Sequence, residues 1–221
     1  TALVASGSRA TSGDQRVLVG GGQVVVVDGD PGTVRAVDPL TLADLGKPFR
    51  TKKPIADAVV DGKGSVWVLT DDGELTQLAY SSNAGRFRTD EHRPIAGAGS
   101  ESRLVPHDRG VTVFASDGGA VVQVGSGGDV AMTVPGLSGS VAAALRSPAT
   151  LVPASVPDAG RVFLLSAGSL LQVDVGDRGC SRPGVPQVFS ARVYVPCEGT
   201  GTVMVLDDHG KRAGADIVIP G

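Results

Sequence analysis

The feature that most constrains this chain is a pattern clearest across residues 60–78, VDGKGSVWVLTDDGELTQL. Val66, Trp67 and Val68 lead into Thr70-Asp71-Asp72-Gly73, and Glu74 to Leu78 leads out with polar and apolar residues alternating. A period of two marks a strand with one buried face. Asp-Gly between two such runs is a strong short-range hairpin signal.

The hairpin recurs. Residues 24–27 and 33–37 flank DGDPG; residues 109–124 turn at Asp117-Gly118-Gly119; residues 160–175 turn at Ser166-Ala167-Gly168; residues 191–207 turn around Gly199-Thr200-Gly201. Taking Gly32, Gly73, Gly119, Gly168 and Gly201 as turn markers, the steps are 41, 46, 49 and 33 residues. Propeller blades of four strands repeat at about 40–50 residues, so three steps fit and the last is short. Residues 54–60, 102–106, 149–154 and 185–190 supply a strand before a hairpin; residues 86–95, 129–137 and 213–219 supply one after. Residues 141–146 read as a loop insertion ended by Pro148. Strands at this spacing also suit a sandwich. The repeat favours an all-β propeller of four-stranded antiparallel blades, with Trp67, Phe163 and Tyr194 filling the gaps between blades. Five blades are visible: either the chain closes with five, or it is part of a six- to seven-bladed ring.

Composition narrows the function classes. With 221 residues, net charge −3 and pI near 5.6, the chain carries no electrostatic footprint for nucleic acid or an acidic membrane surface. No apolar run approaches the roughly 20 residues that span a bilayer. Residues 1–15 read as a mobile lead-in and 16–221 as one domain, with any membrane anchor expected upstream.

No stretch carries a catalytic signature. His92, His107 and His209 lie in no metal-ligand spacing. DGDPG lacks the later ligands of a calcium loop, and Gly20-Gly21-Gly22 lacks the ending of a phosphate loop. Residues 136–140, GLSGS, fail the nucleophile elbow at its last position. Arg50-Thr51-Lys52-Lys53 reads as a solvated basic loop. The polar residues that precede hairpins at similar positions, Asp61, His107, Asp108, Arg109 and Asp158, mark the end of the channel where a ligand is expected, although such residues are more often solvated turns. No cofactor and no metal site is expected.

Cys180 and Cys197 flank a segment able to form two strands, which brings its ends together. A disulfide is expected, the other reading being two free buried thiols. Such a bond implies an oxidising compartment.

DGKGSVWVLTDDGELTQL and FSARVYVPCEGTGTVMVLDDHG resemble blades of the NHL, YVTN and streptogramin-lyase-like propellers. GQVVVVDGDPGTVRAVDPLT and PGVPQVFSARVYVPCEGTGTVMVLD resemble, more narrowly, bacterial membrane-anchored proteins with an extracellular propeller and Ig-like or fibronectin type III repeats. The resemblance implies an exported, cell-surface domain and carries over no catalytic residue. The expectation is a non-enzymatic binding or scaffold module at the bacterial cell envelope, monomeric, with a protein or cell-wall partner and no nucleic acid. The alternatives are a propeller lyase or metal-dependent hydrolase, and a glycan-binding lectin.

Overall fold

The chain is described by a computed structural model over residues 15–125 and 129–219. Of the expected lead-in, only Gln15 falls within these residues, and it opens the first strand. Five antiparallel sheets of four strands follow one another along the chain, each with its strands in sequence order. Blade 1 holds β1 (Gln15–Gly20), β2 (Gln23–Asp28), β3 (Thr33–Val37) and β4 (Phe49–Arg50). Blade 2 holds β5 (Ile55–Val60), β6 (Val66–Thr70), β7 (Glu74–Ser81) and β8 (Arg86–Pro94). Blade 3 holds β9 (Arg103–Pro106), β10 (Val111–Ala115), β11 (Ala120–Val124) and β12 (Val130–Thr133). Blade 4 holds β13 (Ala142–Ala143), β14 (Leu151–Val156), β15 (Arg161–Ser166) and β16 (Ser169–Asp174). Blade 5 holds β17 (Gln187–Phe189), β18 (Arg192–Cys197), β19 (Thr202–Leu206) and β20 (Ile217–Val218). The fold is a β-propeller, and the first strands of blades 1 to 4 line a common central cavity with Val185, which precedes blade 5.

The second strands of blades 2 and 3 are buried on both faces: β6 (VWVLT) and β10 (VTVFA) have no exposed residue. A strand covered on both sides reads as a continuous apolar run, which is why these segments outweigh their neighbours in the sequence. Between blades, rows of branched side chains interdigitate. Val25, Val27 and Val34 pack on Val66, Val68 and Leu78; Trp67 and Leu69 pack with Val111 and Val113; Phe114 and Val121 with Phe163 and Leu165; Leu164 and Val162 with Val193 and Met204. At one turn the backbones themselves touch. Gly97 has φ +72°, and a Cβ there would lie 2.3 Å from the Cα of Gly118. Only glycine tolerates both the left-handed conformation and that approach.

The fourth blade departs from the expected register by one strand. Residues 141–146 are no loop insertion: they contain β13, whose segment lines the cavity. The hairpin at Ser166-Ala167-Gly168 therefore joins the third and fourth strands, and the turn equivalent to those of the other blades lies at Gly160. With Gly160 as the marker (32, 73, 119, 160, 201), the steps become 41, 46, 41 and 41 residues. The physical reason is that β13 is two alanines, and β14 (LVPASV) is buried on both faces and so does not alternate. Its Pro153 sits one residue past the last that pairs with β13, where a missing N–H leaves the ladder intact. The outer strands are shorter than expected in blades 3 and 5, and in blade 1 β4 is two residues following a loop held by Asp38, whose Oδ1 accepts the N–H groups of Leu40 (2.9 Å) and Thr41 (2.8 Å).

Trp67 and Phe163 are buried between blades, as is Phe114. Tyr194 is not: it is half-buried, on the face of blade 5 turned away from blade 4.

Candidate functional site

The central cavity encloses about 630 Å³. Its wall is mostly apolar, with Val17, Val19, Val59, Leu145 and Val185, and three charged side chains reach it: Arg16, Asp57 and Arg103. Asp57 is buried and joins three blades. Its Oδ1 accepts from Arg16 Nη1 at 2.6 Å and from the N–H of Ala58 at 2.9 Å, and its Oδ2 accepts the N–H of Leu104 at 2.8 Å. Arg103 donates to the carbonyls of Ser100 (3.0 Å) and Ser102 (2.7 Å). None of the three stands out by motif. Two signals mark them: a charge interrupts an inner-strand apolar run, as in Arg16-Val17-Leu18-Val19 or Ile55-Ala56-Asp57-Ala58-Val59, and the three stand 41 and 46 residues apart, the first two steps of the repeat.

The five residues expected at one end of the channel are divided by the structure. Asp61 lies in the turn from β5 to β6, and His107, Asp108 and Arg109 in the turn from β9 to β10, so these four share one rim. Asp158 sits in the turn from β14 to β15, which the shifted register of blade 4 places at the opposite rim. Asp61, His107, Asp108 and Asp158 tie structure together. Asp61 is 2% exposed; its Oδ1 accepts the N–H groups of Lys63 (2.9 Å) and Ser65 (3.0 Å), and its Oδ2 accepts Trp67 Nε1–H and the N–H of Gly110, both at 3.0 Å. His107, also buried, bonds the Ser147 carbonyl of blade 4 through Nδ1 (2.9 Å) and the Thr112 hydroxyl through Nε2 (2.8 Å). Burial holds its imidazole below the usual value, against the opposing pull of the Ser147 carbonyl, Asp108 and Asp61. With Nδ1 donating to a carbonyl, the neutral ring accepts at Nε2. Asp108 pairs with Arg146 (2.9 Å) in the connection from β13 to β14 of blade 4, and Asp158 with Arg182 (3.2 Å), which also holds Glu198 of blade 5 (2.9 Å). Arg109 is exposed.

The remaining histidines fall apart in space. His209 joins Asp207 and Asp208 in the one group of three such residues, among those described, whose ligand atoms lie within 4.8 Å. Its geometry is explained without an ion. Asp207 Oδ1 accepts the N–H groups of His209 (2.9 Å) and Lys211 (2.8 Å), and Asp207 N–H donates to the Lys211 carbonyl at 2.8 Å. Asp61 repeats every one of these bonds with Lys63 and Ser65. Both are the same five-residue turn, Asp-x-x-Gly-x, closed by a carboxylate. The backbone N–H of Lys211 is the leading cause that holds Asp207 below the usual carboxylate range. His92 bonds the Thr76 hydroxyl (2.9 Å) in a surface groove of about 340 Å³ between blades 1 and 2. The Arg50-Thr51-Lys52-Lys53 patch forms one wall of this groove, and Asp72 and Glu74 the other.

Cys180 and Cys197 are joined, with a Cα–Cα distance of 5.0 Å, and no free cysteine remains. The bond pins the connection leaving blade 4 to the end of β18, inside the core shared by blades 4 and 5. No described helix is long and apolar enough to cross a membrane.

Fold and site together define a β-propeller whose rim turns lock neighbouring blades. No protein-family model and no curated protein matches the sequence. Solved structures do match in fold. Virginiamycin B lyase from Staphylococcus aureus aligns with TM-score 0.67 at 9% identity, over 93% of this chain and 69% of the lyase. A catalytically inactive histidine-to-alanine form of that lyase, with quinupristin, aligns at TM-score 0.64 and 10% identity over the same shares. Apo AztD from Citrobacter koseri aligns at TM-score 0.63 and 17% identity, over 94% of this chain and 59% of AztD. At such identities the likeness is one of fold.

Proposed function

We propose that the chain is a non-catalytic binding or scaffold module, an exported propeller displayed at the bacterial cell envelope with a protein or cell-wall partner. The observation that carries this reading is the commitment of the rim's ionisable groups. Asp61 accepts four hydrogen bonds and both His107 nitrogens are engaged, so these groups make a rigid frame where a general acid, base or metal ligand would need a free position. The disulfide supports an oxidising location, and the net charge of −3 supports a partner other than nucleic acid. The test is fractionation of cells producing the intact gene product, followed by crosslinking on whole cells. A crosslinked envelope component, lost on refolding under reductant, supports the reading; recovery only in the cytosol refutes it.

The second reading is a lyase, favoured by the fold shared with virginiamycin B lyase. Quinupristin is the substrate to try, with and without added divalent cations. Turnover that survives purification and is lost on substitution of Arg16, Asp57 or Arg103 would replace the first reading with this one.

A further inference from the structure

A closed ring of five blades needs five interfaces between blades, and the described residues form four. Each of the four has its own buried core, between blades 1 and 2, 2 and 3, 3 and 4, and 4 and 5. Each is also crossed by hydrogen bonds, from Arg16 to Asp57, from Gly110 to Asp61, from His107 to Ser147, and from Ser155 to the Gly184 carbonyl. Among the described residues no buried core joins blade 5 to blade 1.

Both faces beside this seam carry exposed apolar side chains on their inner strands, and that of blade 1 also holds the Asp28–Arg35 ion pair further out. In blade 5, Tyr194 pairs with Val205, and Val203 pairs with both Pro196 and Ile217. These rows alternate with those of Val193, Val195 and Met204, which pack on blade 4. They therefore point into the seam, as do Phe189 and Ile219. Phe189 is 71% exposed and Ile219 56%, whereas Val193 and Val195 on the other face are 0% exposed. Across the seam, Val17 and Val19 of β1 are 61% and 70% exposed, on the face opposite the row of Leu18 and Val25 that meets blade 2. Apolar side chains concentrated on one sheet face mark a surface made for contact.

We propose that the seam is closed by further four-stranded blades of the same polypeptide, one apolar face meeting blade 5 and another meeting blade 1. The argument is continuity: four successive sheet-on-sheet interfaces end on a fifth face of the same composition. The lyase alignment agrees in size, because five blades over 69% of that chain scale to about seven. A second copy of the chain fits less well. A two-fold pair could cover both faces only by setting blade 5 of each copy on blade 1 of the other, which closes a ring of ten blades, beyond the roughly four to eight that propellers hold.

The experiment uses the intact gene product. Its sequence is first read for further hairpins of the Asp-Gly type at a step near 41 residues; finding none would overturn the proposal. Single cysteines are then introduced as Phe189→Cys, Val19→Cys and, as an exposed control in blade 2, Ser82→Cys. Cys180 and Cys197 are bonded, and any free cysteine of the further blades is first replaced by serine, so that the new thiol alone reacts with a maleimide. The expected result is reaction at the two seam positions at least about tenfold slower than at Ser82→Cys, unchanged on dilution. Equal rates would overturn the proposal, and protection that disappears on dilution would assign the seam to a second copy. Ile217→Cys reads the same face if Phe189→Cys does not fold.

Discussion

Replacing Asp61 with alanine is the sharpest test of the claim that rim carboxylates hold blades together. The side chain is 2% exposed and accepts four hydrogen bonds, two within its own turn and two from donors buried with it, Trp67 Nε1 and the N–H of Gly110 in blade 3. The turn N–H groups of Lys63 and Ser65 regain water on truncation, at a cost of roughly 0.5–1 kcal/mol each. The other two donors stay enclosed between blades, and a buried donor without a partner costs about 1–3 kcal/mol. The expected loss is therefore about 3–8 kcal/mol, at or above the high end for a single substitution. Trp67 is the only tryptophan and itself donates to this carboxylate, so its emission reports the local environment. Urea unfolding followed by Trp67 fluorescence, with far-UV circular dichroism alongside, measures the change. Asp61→Asn keeps acceptors but turns an amide toward donors, and it should fall between the two. A midpoint for Asp61→Ala within about 1 kcal/mol of the parent would show that blades 2 and 3 are held by their apolar core alone, and the reasoning about the rim would fail.

Mass spectrometry of the oxidised protein should find Cys180 and Cys197 unreactive to alkylation until reduced, and Cys197→Ser should cost about 2–4 kcal/mol while leaving the Trp67 signal of blade 2 native. His107 is held below its unfolded value, so the unfolded chain takes up its proton first. Stability contributed by the neutral ring is full above the unfolded imidazole value near 6.5 and declines as pH falls from there toward the folded value; His107→Gln should flatten that decline in urea titrations at pH 7.5 and 5.5, and an unchanged slope would refute it. Gly97→Ala should cost about 2 kcal/mol or more by calorimetry, because its φ of +72° and the 2.3 Å approach to Gly118 both disfavour a Cβ.

How much of this was legible in the sequence depends on which signal each element carries. Blades 1, 2, 3 and 5 announce themselves, because an apolar second strand such as Val66-Trp67-Val68-Leu69 sits next to a polar turn and an alternating third strand. Blade 4 misleads for the opposite reason. Its inner strand is two alanines, its second strand contains a proline and no polar rhythm, and its best alternation lies in the third and fourth strands. A period-two search locks onto that later hairpin, and the uneven steps of 49 and 33 residues were the visible symptom. The error then carried into the site, moving Asp158 to the wrong rim.

The rim residues show a different limit. Sequence identifies Asp61 and His107 as polar groups placed alike before a hairpin, and that much is correct. Whether such a group faces solvent, a ligand or a neighbouring blade depends on contacts 40 or more residues away, as with Gly110 for Asp61 and Ser147 for His107. A repeat of about 41 residues brings the same position of the next blade to the same place in space. A carboxylate or imidazole at that position therefore meets the backbone of its own counterpart one blade on. The polar positions that recur at blade spacing are thus the ones most strongly recruited to hold blades together. Arg16, Asp57 and Arg103 of the cavity wall obey the same rule: they stand at the blade steps of 41 and 46 residues, and Asp57 joins Arg16 to the N–H of Leu104 beside Arg103.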